Sequence, residues 1–327
     1  MSHFKEHWFP YLLFFIIGVV IFNGLSTDDR NKKNITDFPN KQKSIIPDIY
    51  ELSNSDADNL IRYGKILIDS TSHYLGPHGS VAAITNGLNC QNCHRESGTK
   101  LFTNNFLAVA STYPKFRERS GRMESVEFRI NECLQRSLNG QPIDSLSKEM
   151  RAMVAYIYWT GKNIKKNSKE EAAGSKEISF LQRAANPATG KAIYVSKCKS
   201  CHGENGESVL HPDKKSYNIS AFVGDHSYAV SAGMYRLQRL ASFLKYNMPL
   251  GATYQEPLLS NEEAWDAAAY INSLPHPKKL FAADWPQLKS KPVDYPFGPY
   301  ADNFSERQHK YGPFDPIKKA KNLASKK

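Results

Sequence analysis

Two short clusters of sulfur and imidazole side chains are the residues of this sequence best suited to chemistry. Each has the pattern Cys-x-x-Cys-His, with two thiols one helical turn apart and an imidazole beside the second. Thiols at that spacing add to the vinyl groups of a porphyrin, and the imidazole binds the iron from one side. The sequence therefore predicts two covalently attached c-type haems. Their residues are Cys90, Cys93 and His94 in the first unit and Cys198, Cys201 and His202 in the second.

A zinc site is the main alternative for a Cys-x-x-Cys pair. Zinc needs further thiols or imidazoles at a set spacing, and none follow either unit in the sequence. The pattern therefore favours haem over zinc.

The ligand on the far side of each iron sets the haem's reduction potential. In the second half of the chain, Met248 is followed by Pro249, and a loop stiffened by proline can present a thioether to iron. Met234 is the competing ligand, and an ordinary core role is the alternative for Met248. A methionine ligand raises the potential, which suits a haem from which electrons leave.

Cys133 is the one cysteine outside the two units. It follows the first unit at a distance similar to that of Met248 from the second, although Met123, Met150 and Met153 are also available. A cysteine thiolate on iron lowers the potential and places a sulfur atom at a redox centre. A buried free cysteine that packs as a small hydrophobe remains the alternative.

Five arginines surround Cys133 in the segment from residue 117 to 136. Arg129 and Ser137 lie four residues either side of Cys133, so on a helix all three share a face. Arginine forks bind oxyanions in bidentate fashion, and a serine hydroxyl adds a donor. Arg119 and Arg129 are the better candidates for an anion site; an ion pair with a haem propionate, or a solvated role, is the alternative for each arginine.

Two helical domains are expected to position these residues, because the 327 residues and 40% hydrophobic content suffice for two modest cores. An internal duplication supports this division. Gly64-Lys65-Ile66-Leu67 and Gly190-Lys191-Ala192-Ile193 each precede a haem unit, and each copy ends in a helix that Ser147 or Ser260 opens. The first copy carries an additional loop before Cys90. A helix is expected from Ser55 to Tyr74.

The N-terminal stretch from Trp8 to Phe22 is almost wholly apolar. It is short for a spanning helix, so it is interpreted as an export signal or an uncleaved membrane anchor, with the anchor slightly favoured. Because bacteria attach c-type haem outside the cytoplasmic membrane, the folded part is expected on the periplasmic side, either anchored or soluble after cleavage. The net charge of +11 and pI near 9.2 do not by themselves distinguish anionic substrates, acidic partners, nucleic acid or membrane surfaces.

The predicted fold class is all-α, with two tandem cytochrome c-type domains, each around one covalent haem, and an irregular C-terminal extension packed on them. The extension is basic and rich in aromatic residues, and disorder is an alternative for its last residues. The predicted segments are a signal or anchor at 1–26, a polar tether at 27–53, domain 1 at 54–162, a solvated linker at 163–180, domain 2 at 181–275 and the extension at 276–327, with folded structure beginning near Asn54.

Four motifs together resemble the dihaem thiosulfate dehydrogenase family over about residues 55–316. They are the two haem units, the run from Arg129 to Gly140, Asn247-Met248-Pro249 and the run from Lys291 to Tyr300. The resemblance implies a His/Cys-ligated active-site haem in domain 1, a second haem that transfers electrons, and oxidative coupling of two thiosulfates to tetrathionate, reversible in some members.

Carried over by position, the resemblance makes Cys133 the distal ligand of the first haem and a transient carrier of a thiosulfate-derived adduct. Arg119, Arg129 and Ser137 then line the substrate pocket. Met248 is the distal ligand of the second haem. Some members have lysine just before this methionine, whereas this chain has Asn247, so plain His/Met ligation is expected.

Other functions give Cys133 less to do. A periplasmic dihaem electron shuttle without a substrate predicts methionine on both irons, and a dihaem peroxidase has no use for this thiol. Sulfur-oxidising carrier cytochromes with a haem-ligating cysteine need a carrier protein, and the C-terminal pattern does not suggest them. The expected partners are thiosulfate or tetrathionate and a small c-type cytochrome or other periplasmic electron acceptor. No nucleic acid is expected, and membrane contact only through the N-terminal segment.

Overall fold

A computed structural model describes residues 45–168, 170–210 and 217–324 of the chain. The predicted export segment and most of the predicted tether lie outside these residues. No helix within the described ranges is long and apolar enough to cross a membrane.

The described chain is mostly helical, with two small antiparallel hairpins. The N-terminal half contains α1 (Asp56–Asp69), α2 (Thr71–Leu75), α3 (Arg95–Gly98), α4 (Val109–Thr112), α5 (Val126–Arg136) and α6 (Lys148–Thr160). The C-terminal half contains α7 (Pro187–Lys197), α8 (Lys199–His202), α9 (Leu237–Asn247), α10 (Asn261–Ile271), α11 (Glu306–Tyr311) and α12 (Asp315–Ala324). The hairpins pair β1 (Lys115–Arg117) with β2 (Arg122–Glu124) and β3 (Val209–Leu210) with β4 (Tyr217–Ile219). Short 3-10 helices occur at Ile49–Glu51, Cys90–Asn92, Gly233–Tyr235 and Leu288–Ser290.

The predicted duplication is visible where two helices cross in each half. A Cβ atom added at Gly64 on α1 would lie 2.0 Å from the carbonyl oxygen of Ala152 on α6. One added at Gly190 on α7 would lie 1.9 Å from the carbonyl oxygen of Asp266 on α10. Only glycine permits backbones to approach so closely, so both copies use the same residue for the same crossing. The crossings hold the haem-binding segments against their cores.

The predicted helix starts are confirmed by their caps. Ser147 accepts a hydrogen bond from the Met150 N–H and opens α6. Ser260 and Glu263 form the predicted capping box at the start of α10.

The first helix is shorter than expected, because it ends at Asp69 and a bend at Ser70 separates it from α2. The haem-binding segment occupies this bend. Thr71 Oγ1 accepts a hydrogen bond from the Cys90 N–H at 3.0 Å, and the Ser72 N–H donates to the Asn89 side chain at 2.7 Å. The break in the helix therefore positions the first haem unit.

Two predicted polar segments are packed against the fold. Ile45, which precedes the expected start near Asn54, is buried, and Leu52 packs on the core of the first half. In the predicted linker, Ala172 and Ala173 are buried, and the Phe102 N–H donates to the Ala172 carbonyl at 3.0 Å. Expecting a solvated linker was wrong at these positions, because alanine is small enough to lie against a loop without a visible apolar pattern.

The C-terminal extension packs on the fold, as expected from its aromatic residues. Phe314 and Ile317 are each 1% exposed and belong to the core of the second half. The expectation of an irregular extension was incomplete, because α11 and α12 form within it and α12 continues to Ala324. The amphipathic spacing of Phe314 and Ile317, which buries one face of a basic helix, accounts for α12.

Candidate active site

The imidazole of His94 is fixed by the loop that follows it. Its Nδ1 atom lies 2.5 Å from the carbonyl oxygen of Asn104, and its ring packs on Phe106 with the centroids 4.6 Å apart. A carbonyl only accepts, so Nδ1 carries the proton and donates. This leaves Nε2 as the nitrogen free to bind iron, with the carbonyl orienting the ring from behind.

Cys133 on α5 faces this imidazole. Burial raises the pKa of the Cys133 thiol, but the charge of Arg129 and a hydrogen bond with His94 outweigh it and lower the pKa to about 7. Burial also raises the pKa of Cys90 to about 11 and that of Cys93 to about 12, and in both cases the nearby Cys133 adds to the effect. Three sulfur atoms and one imidazole thus converge.

This donor set fits a covalent haem with iron between nitrogen and sulfur. Cys90 and Cys93 are free of disulfides and provide the two attachment thiols. His94 and Cys133 provide an imidazole and a thiolate from separate elements of the fold, one on the haem-binding segment and one on α5. Their role as iron ligands remains a prediction that this convergence favours.

Arg129 lies beside Cys133 on the same face of α5, as the spacing predicts. The Cys133 thiolate holds the pKa of Arg129 above its ordinary value, with burial opposing and Glu132 adding to the rise. Arg129 also donates to Glu132 Oε2 at 2.7 Å. Its side chain is 29% exposed, so Glu132 holds the guanidinium without enclosing the whole side chain.

Arg119 reaches the same site from the turn between β1 and β2. Burial lowers the pKa of Arg119 to about 10, and the nearby positive charges of Arg129 and Arg136 contribute. The structure therefore brings both predicted anion-binding arginines together. Ser137 caps the end of α5 half-buried on the Cys133 face, and its N–H donates to the Cys133 carbonyl at 2.8 Å. Contact of its hydroxyl with substrate remains a prediction.

Sequence reasoning counted Arg136 among the five arginines near Cys133 without assigning it a partner, and it missed Glu132 and Asp284. Glu132 bridges Arg129 and Arg136 through its two carboxylate oxygens. Its spacing of three and four residues from these arginines on one helix was a signal that could have identified it. Asp284 lies 148 residues after Arg136 in the chain, and no local sequence pattern indicates that the two side chains form an ion pair.

The second haem unit is more exposed than the first. The His202 ring packs on Phe222 with the centroids 4.9 Å apart, and the Cys201 side chain is exposed. Met248 follows α9, half-buried against the core of the second half, whereas its competitor Met234 is buried within that core. The more accessible position favours Met248 as the ligand, which remains a prediction.

A buried hydrogen bond connects the two regions. The Thr103 hydroxyl donates to the Asn247 side-chain oxygen at 3.0 Å, and the Asn247 amide donates to the Phe243 carbonyl at 3.1 Å. Thr103 adjoins Asn104, which holds His94, and Asn247 adjoins Met248. The loop behind the first unit is therefore tied to the residue before the predicted ligand of the second.

Replacing Thr103 by valine is expected to lower the free energy of unfolding by about 1–3 kcal/mol, because it leaves a buried amide oxygen unpaired. Urea titration of the haem-loaded protein measures this. Thr160→Val is the matched control, since the buried Thr160 hydroxyl bonds only to a carbonyl of its own helix, that of Ile157. Equal losses in the two variants would mean that the Asn247 contact contributes nothing specific.

Comparisons with known proteins follow the division into two halves. A family model described as SoxA/TsdA, cytochrome c domain, matches residues 80–165. A model described as Cytochrome c matches residues 187–275. Each range contains one Cys-x-x-Cys-His unit, so the chain has two tandem cytochrome c domains and carries two covalently attached c-type haems. The predicted fold class and cofactors are confirmed.

Several curated proteins and a solved structure resemble the chain. A thiosulfate dehydrogenase from Psychrobacter arcticus is 36% identical over 204 residues, 62% of this chain and 61% of that protein. One from Allochromatium vinosum is 34% identical over 202 residues, 61% of this chain and 72% of that protein. The structure of thiosulfate dehydrogenase (TsdBA) from Marichromatium purpuratum, in its as-isolated form, aligns with a TM-score of 0.63 and 26% identity, covering 70% of this chain and 48% of that one. The match thus spans about three fifths of the Psychrobacter protein and about half of the Marichromatium chain.

Proposed function

Since this chain belongs to the dihaem thiosulfate dehydrogenase family, we propose that it oxidises two thiosulfate ions to one tetrathionate at the first haem-binding unit. The observation that supports this most directly is the convergence of the Cys133 sulfur, the His94 imidazole and the arginines Arg119 and Arg129. An electron shuttle needs no anion-binding arginines beside a haem-ligating thiolate.

The arginines address the main physical obstacle to this reaction. Two dianions must come within bonding distance, and their repulsion opposes the step. Arg129, whose side chain is partly exposed, donates to the oxygens of a bound thiosulfate, while Arg119 adds positive charge from the hairpin turn. These groups are fixed by the fold before the substrate arrives, so little reorganisation accompanies its binding.

Cys133 carries the sulfur chemistry in two steps. Its thiolate and the outer sulfur of a first thiosulfate form an S–S bond, and two electrons are released, which gives a cysteine S-thiosulfonate. The outer sulfur of a second thiosulfate then attacks this adduct, the new S–S bond forms tetrathionate, and the Cys133 thiolate is restored. The lowered pKa of Cys133 favours the thiolate. The thiolate is the form that bonds to the first thiosulfate and the form that leaves when the second thiosulfate attacks.

The chemistry that the two haems supply is acceptance and onward transfer of these electrons. Cys90, Cys93 and His94 hold the first, while Cys198, Cys201, His202 and Met248 hold the second. The exposure of Cys201 suits the second unit as the exit toward a partner. We place the reaction on the periplasmic side of the cytoplasmic membrane, with a small c-type cytochrome or similar carrier as acceptor.

The purified protein with both haems attached is expected to reduce ferricyanide only when thiosulfate is present. Low-temperature electron paramagnetic resonance is expected to give a His/thiolate low-spin signal beside a second low-spin signal. Dithionite reduction of both haems controls for their redox activity. A protein that lacks the thiolate signal and ignores thiosulfate, yet passes electrons between cytochromes, would be the simple shuttle instead.

A further inference from the structure

A short segment of the C-terminal extension forms one wall of the candidate active site. The backbone N–H of Trp285 donates to the backbone carbonyl oxygen of Arg119 at 2.7 Å, and the Arg119 guanidinium lies 5.9 Å from the centre of the Trp285 ring. The ring of Phe281 lies 3.9 Å from the guanidinium carbon of Arg136. The wall therefore contacts arginines of both the hairpin and α5.

Asp284 in this wall ends a buried chain of alternating charges. Its two carboxylate oxygens accept hydrogen bonds from Arg136 at 2.7 and 2.8 Å. Arg136 also donates to Glu132 Oε1 at 2.9 Å, and Glu132 Oε2 accepts from Arg129 at 2.7 Å. The Arg136, Glu132 and Asp284 side chains are only 7%, 5% and 9% exposed. Solvent thus screens this chain of ion pairs little.

The order of the charges decides what the substrate encounters. Arg136 pairs with two carboxylates, those of Glu132 and Asp284. Because Asp284 also binds Arg136, the second carboxylate oxygen of Glu132 can pair with Arg129. Two cations and two anions cancel along the chain, and the positive charge of Arg119 from the hairpin is matched by the negative charge of the Cys133 thiolate. Without Asp284, Arg136 on the same helix as Cys133 would contribute an unbalanced buried charge, and an uncompensated buried charge is costly.

We propose that Asp284 is a positioning residue that sets the charge balance of the oxyanion site by neutralising Arg136. This deepens the proposed function and rests on it for the identity of the anion. The balance matters because tetrathionate, itself a dianion, must leave after each turnover. A site with one charge more would hold both substrate and product more tightly.

The test uses the full chain with both haems attached and two readouts that need no turnover. Asp284→Asn is expected to lower the dissociation constant for sulfate, a non-reacting dianion, on the order of tenfold, as one buried charge at this range predicts. It is also expected to raise the midpoint potential of the first haem, since added positive charge favours the reduced form. Calorimetry and a spectroscopic redox titration measure the two effects.

Asp294→Asn is the matched control. Asp294 is a buried carboxylate of the same extension that pairs with Arg236 at 2.9 and 2.6 Å, on the other domain. This variant is expected to leave sulfate affinity and the first haem's potential unchanged. Equal shifts in both variants would overturn the proposal, because they would reflect general loosening of the extension.

A second variant, which removes the positive charge of Arg136, makes the test independent of folding losses. Arg136→Gln is expected to lower the potential of the first haem, and the double variant with Asp284→Asn is expected to restore it, because the removed charges cancel. Shifts in the same direction for the two single variants, or a double variant that keeps the Asp284→Asn shift, would overturn the proposal. If the wild type bound sulfate but never oxidised thiosulfate, the proposed function would fail while these charge effects remained measurable.

Discussion

The Cys133→Gly variant is expected to retain both covalently attached haems and to lose thiosulfate-dependent ferricyanide reduction by about a thousandfold or more. Attachment depends on Cys90, Cys93, Cys198 and Cys201, none of which changes. Turnover is expected to disappear because the variant lacks the sulfur that we propose forms the transient bond, and losses of this size or more follow removal of a nucleophile in covalent catalysis. Absorbance of the denatured protein counts the haems, and tetrathionate formation measures turnover.

Cys133→Met separates two roles of the same sulfur. Methionine still offers a sulfur ligand to iron, yet its thioether cannot form an S–S bond to thiosulfate and be released. We expect the variant to regain a six-coordinate low-spin first haem at a higher potential and to remain inactive. If Cys133→Met formed tetrathionate at the wild-type rate, ligation alone would explain the cysteine and the covalent adduct would be wrong.

Features that depend on neighbours in the sequence were predictable. The haem units are read from five consecutive residues, and the shared face of Arg129, Cys133 and Ser137 follows from helical spacing. The cap residues Ser147 and Ser260 also act within one turn of their helices. In each case the interacting residues are only a few positions apart, so a local sequence pattern reveals the interaction.

Features that depend on tertiary packing were not predictable in this way. Asp284 joins the site only because the extension returns to α5, and Thr103 bonds to Asn247 across 144 positions of the chain. No composition or period marks either pair, because each side chain is an ordinary polar residue in its own segment. The buried part of the linker at Ala172 escaped notice for the same reason.

The two haem units differ more in their surroundings than in their motifs. The first is surrounded by the Cys133 sulfur and by arginines that belong to a charge network, whereas the second is more exposed. Burial with opposite charges suits chemistry on an anion, and exposure suits transfer to a partner. The asymmetry therefore lies in the side chains that α5, the β1–β2 hairpin and the extension bring to the first unit.

Replacing Arg129 by methionine is expected to reduce kcat/KM for thiosulfate by roughly 100-fold or more. The change removes a charge-assisted donor from the site and leaves Glu132, buried and negative, with one arginine in place of two. Both effects disfavour an approaching dianion. The kcat/KM of Arg129→Lys is expected to lie between those of the wild type and Arg129→Met, because lysine keeps the charge but lacks the fork that binds two oxygens at once. Steady-state kinetics at several salt concentrations measure these losses.

Arg122→Met is the control for charge alone. Arg122 lies on β2, exposed, with its guanidinium 3.8 Å from the centre of the Phe128 ring, outside the buried charge network. Its loss removes the same net charge from the same region and is expected to change kcat/KM only about a few-fold. This change is expected to vanish at high salt, because salt ions screen the exposed charge of Arg122. A loss in Arg122→Met as large as that in Arg129→Met would mean that thiosulfate responds to the overall positive field and not to a bound contact with Arg129.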